Sequence, residues 1–362
     1  MKILFITPYP AEGPSSRYRV EQYIPYLKDR NICCVVSPFI SSDFYKILYK
    51  RGHYFKKIFY FVCGTIRRLR DLFLAVKSDI VFIHLEAFPL GPALFEWLLS
   101  ISGKRLIYDL DDAIYMRNAS SANKFLKYLK WPNKIRAIIK ISKYVITCNE
   151  HLADYARKFN KNVEVIPTSL DTKKFVPIDK QSNISENITI GWIGSYTTTP
   201  YLEELKNVFL KLSMKYKFDL KIVGAAEHNI KIPGINVINL KWKLEDDVKY
   251  FQSLDIGVYP LPENEWTAGK TGFKTIQYMS VCVPCVVSSV GANKYIVKDG
   301  LNGYLVNTEE EWIDRLSSLI EDFSLRKKIG LAGRKTVEEK FSLAVNAPRF
   351  FQIIEKVHKN IY

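Results

Sequence analysis

The chain has 362 residues, too many for one ordinary core and about right for two domains of roughly 150 to 200 residues each. With 48% apolar and 25% charged residues it can build packed cores and is not a disordered polymer. Residues 1–180 hold 30 Lys and Arg against 16 Asp and Glu, so of the net charge of +16 the first part carries +14 and the second +2; the basic partner surface is expected in the first.

Met1-Lys-Ile-Leu-Phe-Ile-Thr-Pro8 opens with an apolar stretch too short for a signal peptide, and it reads as a first buried strand over 2–7. A helix is expected from Arg17 to Lys28, followed by strands over 33–37, 79–84, 105–109, 144–148 and 163–166. Such alternation of short apolar runs with helical patterns reads as βα units on a parallel sheet. Val176 to Asn187 is polar, contains a proline and lacks apolar periodicity, as a linker does. The rhythm then restarts with 188–194, 220–224, 237–240, 255–259 and 284–288, and ends in an amphipathic helix over 341–360. The expected fold class is α/β, with two doubly wound parallel-sheet, Rossmann-like domains (1–180 and 181–340) facing a cleft, and 341–362 packing back towards the first. No uninterrupted apolar run of 18 residues exists, so no transmembrane span is expected and the cytoplasm is the expected location.

Six cysteines show no disulfide-framework spacing. Cys282 and Cys285 have CxxC spacing but lie in an apolar turn without a second ligand pair, so no metal is expected.

Ile190-Gly-Trp-Ile-Gly-Ser195 leaves a strand through two glycines, which lets Gly194 and Ser195 present N–H groups to an anionic ligand; a plain glycine turn is the alternative. Trp266 to Ser280 places a Gly/Thr-rich loop at the opening of a helix, where unpaired N–H groups and the dipole favour phosphate. Lys270 and Lys274, at i and i+4, add cations, with Gln277 one turn beyond. This set suits a pyrophosphate with a ribose beside it, against the alternative of a solvated basic face. Asp109, Asp111 and Asp112 end a strand where open α/β sheets bind ligands; they can accept sugar hydroxyls, stabilise an oxocarbenium-like centre or take a proton, or they can cap a helix. Asp111 is the expected centre of the chemistry. His84, with Glu86 two residues on, ends another strand at the same edge, and Arg17 and Arg19 follow the first strand, either facing the cleft as donor or acceptor contacts or lying on the surface. Between Lys46 and Lys77 nine cations and one acid alternate with aromatic and aliphatic residues. This reads as a basic amphipathic segment for an anionic membrane surface, through Lys56, Lys57, Arg67, Arg68 and Arg70, or as a core-facing stripe with a basic back. No nucleic-acid recognition motif accompanies it.

The chain resembles GT-B glycosyltransferases of the family-4, glycosyl transferases group 1, type. The resemblance rests on Ser15-Ser-Arg-Tyr-Arg-Val-Glu-Gln22, Tyr108-Asp-Leu-Asp-Asp-Ala-Ile-Tyr115, Gly191-Trp-Ile-Gly-Ser195, Gly269-Lys-Thr-Gly-Phe-Lys274, Gln277-Tyr-Met279, Gly291-Ala-Asn293 and Asp299-Gly-Leu-Asn-Gly-Tyr-Leu305. It implies a nucleotide-sugar donor held by the second domain, at Gly194, Ser195, Gly269, Lys270, Gly272, Phe273, Lys274, Gln277 and Gly291. It further implies an acceptor on the first domain and transfer that is usually retaining and metal-independent, with no cofactor beyond the donor. A glycan or polyprenyl-linked acceptor in envelope polysaccharide synthesis follows from the family and the basic surface, with the enzyme peripheral on the inner face of the cytoplasmic membrane. The chain departs from the family pattern in three places. Gln277 and Gly269 stand where two glutamates are usual, Ser195 to Pro200 lacks the usual Arg and Lys, and Asp-Leu-Asp-Asp replaces a histidine. A nucleotide-sugar epimerase and a non-catalytic scaffold are the competing readings.

Overall fold

Runs of β-branched and aromatic residues, buried on both faces as parallel strands require, form two sheets. The structure, a computed structural model, describes residues 1–361 except Tyr49, Arg51, 117–130, Pro132, 179–186 and 226–228. The first sheet contains β1 (Lys2–Thr7), β2 (Cys33–Pro38), β3 (Ile80–His84), β4 (Arg105–Leu110), β5 (Tyr144–Thr147) and β6 (Val163–Val165). All pairs are parallel, in the order β2-β1-β3-β4-β5-β6. Strand order reverses between β1 and β3, and in the β3–β4 register His84 lies opposite Asp109. The second sheet contains β7 (Ile188–Ile193), β8 (Phe218–Val223), β9 (Asn236–Leu240), β10 (Ile256–Tyr259), β11 (Cys285–Ser288) and β12 (Tyr304–Val306). It is again all parallel, ordered β12-β11-β10-β7-β8-β9, with the reversal between β7 and β10.

The chain forms two compact units, Met1–Ser169 with Leu343–Tyr362, and Leu170–Ser342. The helix Leu343–Lys359 belongs to the core of the first: Phe350, Ile353, Ile354 and Val357 are buried against Ile3, Phe82 and Ile107, and Phe350 stacks on Tyr23 at 4.5 Å between ring centroids. The middle of the expected linker, 179–186, lies outside the described residues.

Some elements differ from the sequence reading. The expected helix from Arg17 to Lys28 is three pieces, Pro14–Arg19, a 3-10 turn Glu21–Tyr23 and Ile24–Lys28. Pro14 and Pro25 each stand in a first turn, where proline opens a helix but cannot sit inside one. β12 was not expected; three residues are too few for alternation to show.

The larger correction concerns the basic segment. Residues Tyr54–Val76 form one helix whose buried face holds Gly64, Arg68, Asp71 and Ala75. Arg68, expected on the membrane surface, is 1% exposed. It ion-pairs with Asp71 at 2.7 Å and donates to the carbonyls of Thr7, Ser37 and Ala87. Arg67 is half-buried and donates to the Pro38 and Phe39 carbonyls at 2.6 and 3.1 Å. A buried guanidinium requires such a full set of acceptors, and the ends of β1 and β2 supply them. Lys57 is half-buried and donates to the Lys50 carbonyl at 2.6 Å, whereas Lys56 and Arg70 are exposed. Among the described residues no helix is long and apolar enough to cross a membrane.

Candidate active site

Parallel sheets bind ligands in the crevice outside the carboxyl ends of the strands, where strand order reverses. In the first unit that place holds a continuous chain of polar side chains. The Arg19 guanidinium meets Asp109 at two points, Nε to Oδ2 at 3.2 Å and Nη2 to Oδ1, and donates to the Ile166 carbonyl at 2.7 Å. Asp109 Oδ2 also lies 2.7 Å from His84 Nδ1, and His84 Nε2 lies 2.6 Å from Ser15 Oγ. Ser15 Oγ is 3.1 Å from Asp111 Oδ2, and Thr168 donates to Asp111 Oδ1 at 3.1 Å. His84, Arg19, Asp109 and Asp111 are all buried, while Ser15 is half-exposed and forms the open side of the chain.

The two carboxyls are pushed in opposite directions. Burial raises the pKa of both, but at Asp109 the Arg19 charge and the His84 hydrogen bond outweigh it and hold the carboxyl below its ordinary value. Asp111 has Arg19 only at 3.7 Å and two other carboxylates close by; burial wins and its pKa is raised. Proton accounting then constrains the chain. Ser15 has one proton and two partners. With His84 neutral and its proton on Nδ1, Ser15 donates to Nε2, and the Asp111 contact requires a proton on Asp111. With His84 an imidazolium, Nε2–H points at Ser15 and Ser15 donates to the Asp111 carboxylate. The two arrangements contain equal numbers of protons and differ by one proton passed between Asp111 and His84 through Ser15.

In the second unit, the turn after β7 is built differently from the sequence expectation. The Gly194 N–H donates to the Val223 carbonyl at 2.9 Å and the Ser195 N–H to Thr198 Oγ1 at 3.1 Å, so both N–H groups are used internally. Gly194 is required by packing, since a Cβ there would run into the Trp192 ring. The exposed Ser195 is what the turn offers outward. After β10, the short helix Glu265–Ala268 ends at Gly269, and a loop through Lys270 leads to Gly272, which takes φ +65° as the cap of the helix Phe273–Ser280. Lys270 therefore sits in the loop ahead of this helix, with its ammonium 4.9 Å from the Trp266 ring centroid, and not one turn below Lys274 on the same helix. Lys274 is in the first turn, its Nζ 5.4 Å from the ring centroid of Tyr259 at the end of β10. Gln277 is buried one turn on, and Gly291, at φ +55°, would bring a Cβ to 2.6 Å from the Thr267 carbonyl. Tyr278 Oη accepts from the Ile193 N–H at 3.2 Å and donates to the Val258 carbonyl at 3.2 Å, tying β7 to β10 at the reversal point.

A recess of about 320 Å³ at the ends of β11 and β12 is lined by Glu204, Glu263 and Glu309 among others. Glu309 is ion-paired with Lys211 at 2.6 Å and Glu263 with Lys294 at 3.5 Å. The motif Asp299 to Leu305 is a structural loop: Asn302 is buried and bonds the Lys298 N–H, the Ile296 carbonyl and Thr336.

The structure brings Asp109, Asp111, His84 and Arg19 together. Asp112 follows half-buried, and Arg17 stays apart from the chain, holding the Ala11 carbonyl at 3.2 Å and lying over the Tyr18 ring. Glu86 is ion-paired to the buried Lys134 at 3.1 Å. From the sequence Ser15 entered only as the first residue of the motif Ser15 to Gln22, with no role of its own, and Thr168 was not singled out, since a threonine in Ile166-Pro-Thr-Ser169 carries no signal.

The family model described as Glycosyl transferases group 1 matches residues 187–322. The capsular polysaccharide biosynthesis glycosyltransferase CapM of Staphylococcus aureus is 26% identical over 171 residues, 44% of this chain and 43% of that protein, so the match spans less than half of the relative's length. Sucrose-phosphate synthase from Thermosynechococcus elongatus is similar in structure with a TM-score of 0.71 at 14% identity, over 99% of this chain and 100% of that one. HepE of Anabaena, solved with UDP and glucose, gives 0.69 at 14% identity over 98% and 100%. Residues 187–322 thus match the glycosyl transferases group 1 model, in a chain whose two parallel sheets have the GT-B fold of these solved glycosyltransferases.

Proposed function

We propose that the chain transfers a sugar from a nucleoside diphosphate donor to a glycan or polyprenyl-linked acceptor in cell-envelope polysaccharide synthesis, with retention and without a metal ion. The observation that carries this reading is the loop from Gly269 to Lys274, which sets two lysines and a helix N-terminus at the strand-order reversal of the unit that matches the family. A uridine diphosphate donor is the first choice because HepE was solved with UDP and glucose, and the name of CapM supports the polysaccharide role. In this reaction the bond from anomeric carbon to phosphate oxygen breaks and the acceptor oxygen bonds to the anomeric carbon. Passage of a proton from Asp111 through Ser15 to His84 leaves Asp111 a carboxylate, which then takes the acceptor's proton and keeps it. Lys270 and Lys274 balance the leaving diphosphate. A polyprenyl-linked acceptor would place the enzyme on the inner face of the cytoplasmic membrane.

The test is a thermal shift with UDP, GDP and ADP, with and without a chelator, on the wild type and Lys274→Ala. One diphosphate should raise Tm by mass action whether or not the chelator is present, and Lys274→Ala should bind it about tenfold or more weakly through loss of a charge-assisted contact. Transfer should need acceptor, whereas an epimerase would turn over donor alone. If no diphosphate or nucleotide-sugar shifts Tm, the reading fails.

A further inference from the structure

The helices Tyr54–Val76, Leu94–Ile101 and Lys134–Ile141 pack side by side, the second against both others. Their only carboxylates are Asp71 and Glu96, and both are buried. What they turn outward is apolar or cationic. On the first, Phe55, Phe59, Val62, Ile66, Leu69 and Phe73 recur at alternating intervals of four and three, which puts them on one stripe. Phe55 is 90% and Phe73 75% exposed. Leu94, Trp97 and Ile101 repeat the spacing on the second helix, each at least half exposed, and an apolar recess of about 250 Å³ lined by Pro92, Trp97 and Ile141 joins it to the third. Lys56, Arg70, Lys77, Arg136 and Lys140 are exposed at and around these helices.

A continuous stripe of this kind is more than a monomer ordinarily leaves to water. A second copy would bring the same cations to the same face with no carboxylate to pair them. An anionic bilayer offers acyl chains to the stripe and headgroups to the cations. We propose that this three-helix face lies in the surface of an anionic membrane, with the stripe of Tyr54–Val76 immersed below the headgroups and the flanking cations level with them. The cations differ from those expected from sequence, because Arg67, Arg68 and Arg70 are all engaged in the fold, and apolar burial supplies the part that salt does not screen. It does not depend on the transfer reading.

Flotation of the whole chain with vesicles tests it. Wild type should float with phosphatidylglycerol-containing vesicles and stay partly bound at high salt. The triple change Phe59→Gln, Ile66→Gln and Phe73→Gln should reduce binding more than about tenfold at every salt concentration, since it removes three large apolar side chains from the buried area. The triple change Lys56→Gln, Lys77→Gln and Lys140→Gln should remove the preference over phosphatidylcholine vesicles while leaving a salt-resistant remainder. Both variants should keep the wild-type Tm and any nucleotide-induced shift, because every altered side chain is solvent-facing, so loss of flotation and loss of donor binding are separate outcomes. The proposal is overturned if the wild type does not float, or if the apolar variant floats as well as the wild type. It is also overturned if the apolar change turns a dimer into a monomer in sedimentation velocity without affecting flotation, which would make a second copy the occupant.

Discussion

Asp109 and Asp111 stand two residues apart at the end of one strand, and their neighbours give them different work. Asp109 is the counter-charge of a buried arginine. Asp109→Asn should lower stability by about 3–5 kcal/mol in urea denaturation, the cost of leaving Arg19 buried and unpaired. The sign with pH follows from its depressed pKa: the contribution is complete above the unfolded value of about 3.9 and is lost as pH falls through the lower folded value, a loss the variant should lack. Asp111, with its raised pKa, is suited to proton transfer nearer neutrality. If it acts as the base, the acidic limb of kcat/KM should lie above the ordinary aspartate range, and Asp111→Asn should abolish the limb and lower kcat. Ser15→Ala removes a hydrogen bond that favours the charged carboxylate, so the limb should move to higher pH. A merely structural Ser15 would lower Tm and leave the limb in place. That Asp-Leu-Asp-Asp ends a strand at the edge where parallel sheets bind ligands was legible in the sequence. The division of labour within it was not, because it is set by Arg19 and His84, 90 and 25 residues away from Asp109 along the chain.

At the scale of elements, periodicity told which residues share a face but not which face is covered. The stretch Tyr54–Val76 shows this most clearly: its pattern reads equally well with apolar side chains inward, and only the Arg68–Asp71 pair, bonded to the ends of β1 and β2, decides otherwise. Strands fared better, because a buried parallel strand is a continuous apolar run bounded by turn residues. The Gly/Thr-rich loop at the opening of a helix was legible by composition, while its path was not, since Gly269 ends one helix and Gly272 begins the next. Gly272→Ala should cost about 1–3 kcal/mol, because the left-handed conformation strains any side chain and a Cβ there collides with Ile296. Chemical denaturation measures the cost. Weakened nucleotide binding with little change in kcat would support the proposal that this loop holds the donor.

For the whole molecule, two doubly wound sheets were visible as two rhythms of strands, while the amphipathic pattern of the last helix tells that one face is buried but not in which unit. That helix makes the first unit discontinuous: its core is closed by Phe350, Ile353, Ile354 and Val357, while Leu170–Ser342 forms a unit by itself. Deleting 343–362 should therefore cost the first unit more than about 5 kcal/mol, from several buried side chains at roughly 1.5–3 kcal/mol each. The second should keep its own unfolding transition in calorimetry. The consequence reaches into biosynthesis. During translation residues 1–169 emerge with the surface of Ile3, Phe82 and Ile107 uncovered, and the segment that covers it is made only after the whole of the second unit. The second unit has its full sequence outside the ribosome earlier than the first has its own. The first unit is thus begun before the second and completed after it, and a released chain truncated after Ser342 should be cut by protease within 1–169 but protected within 170–342.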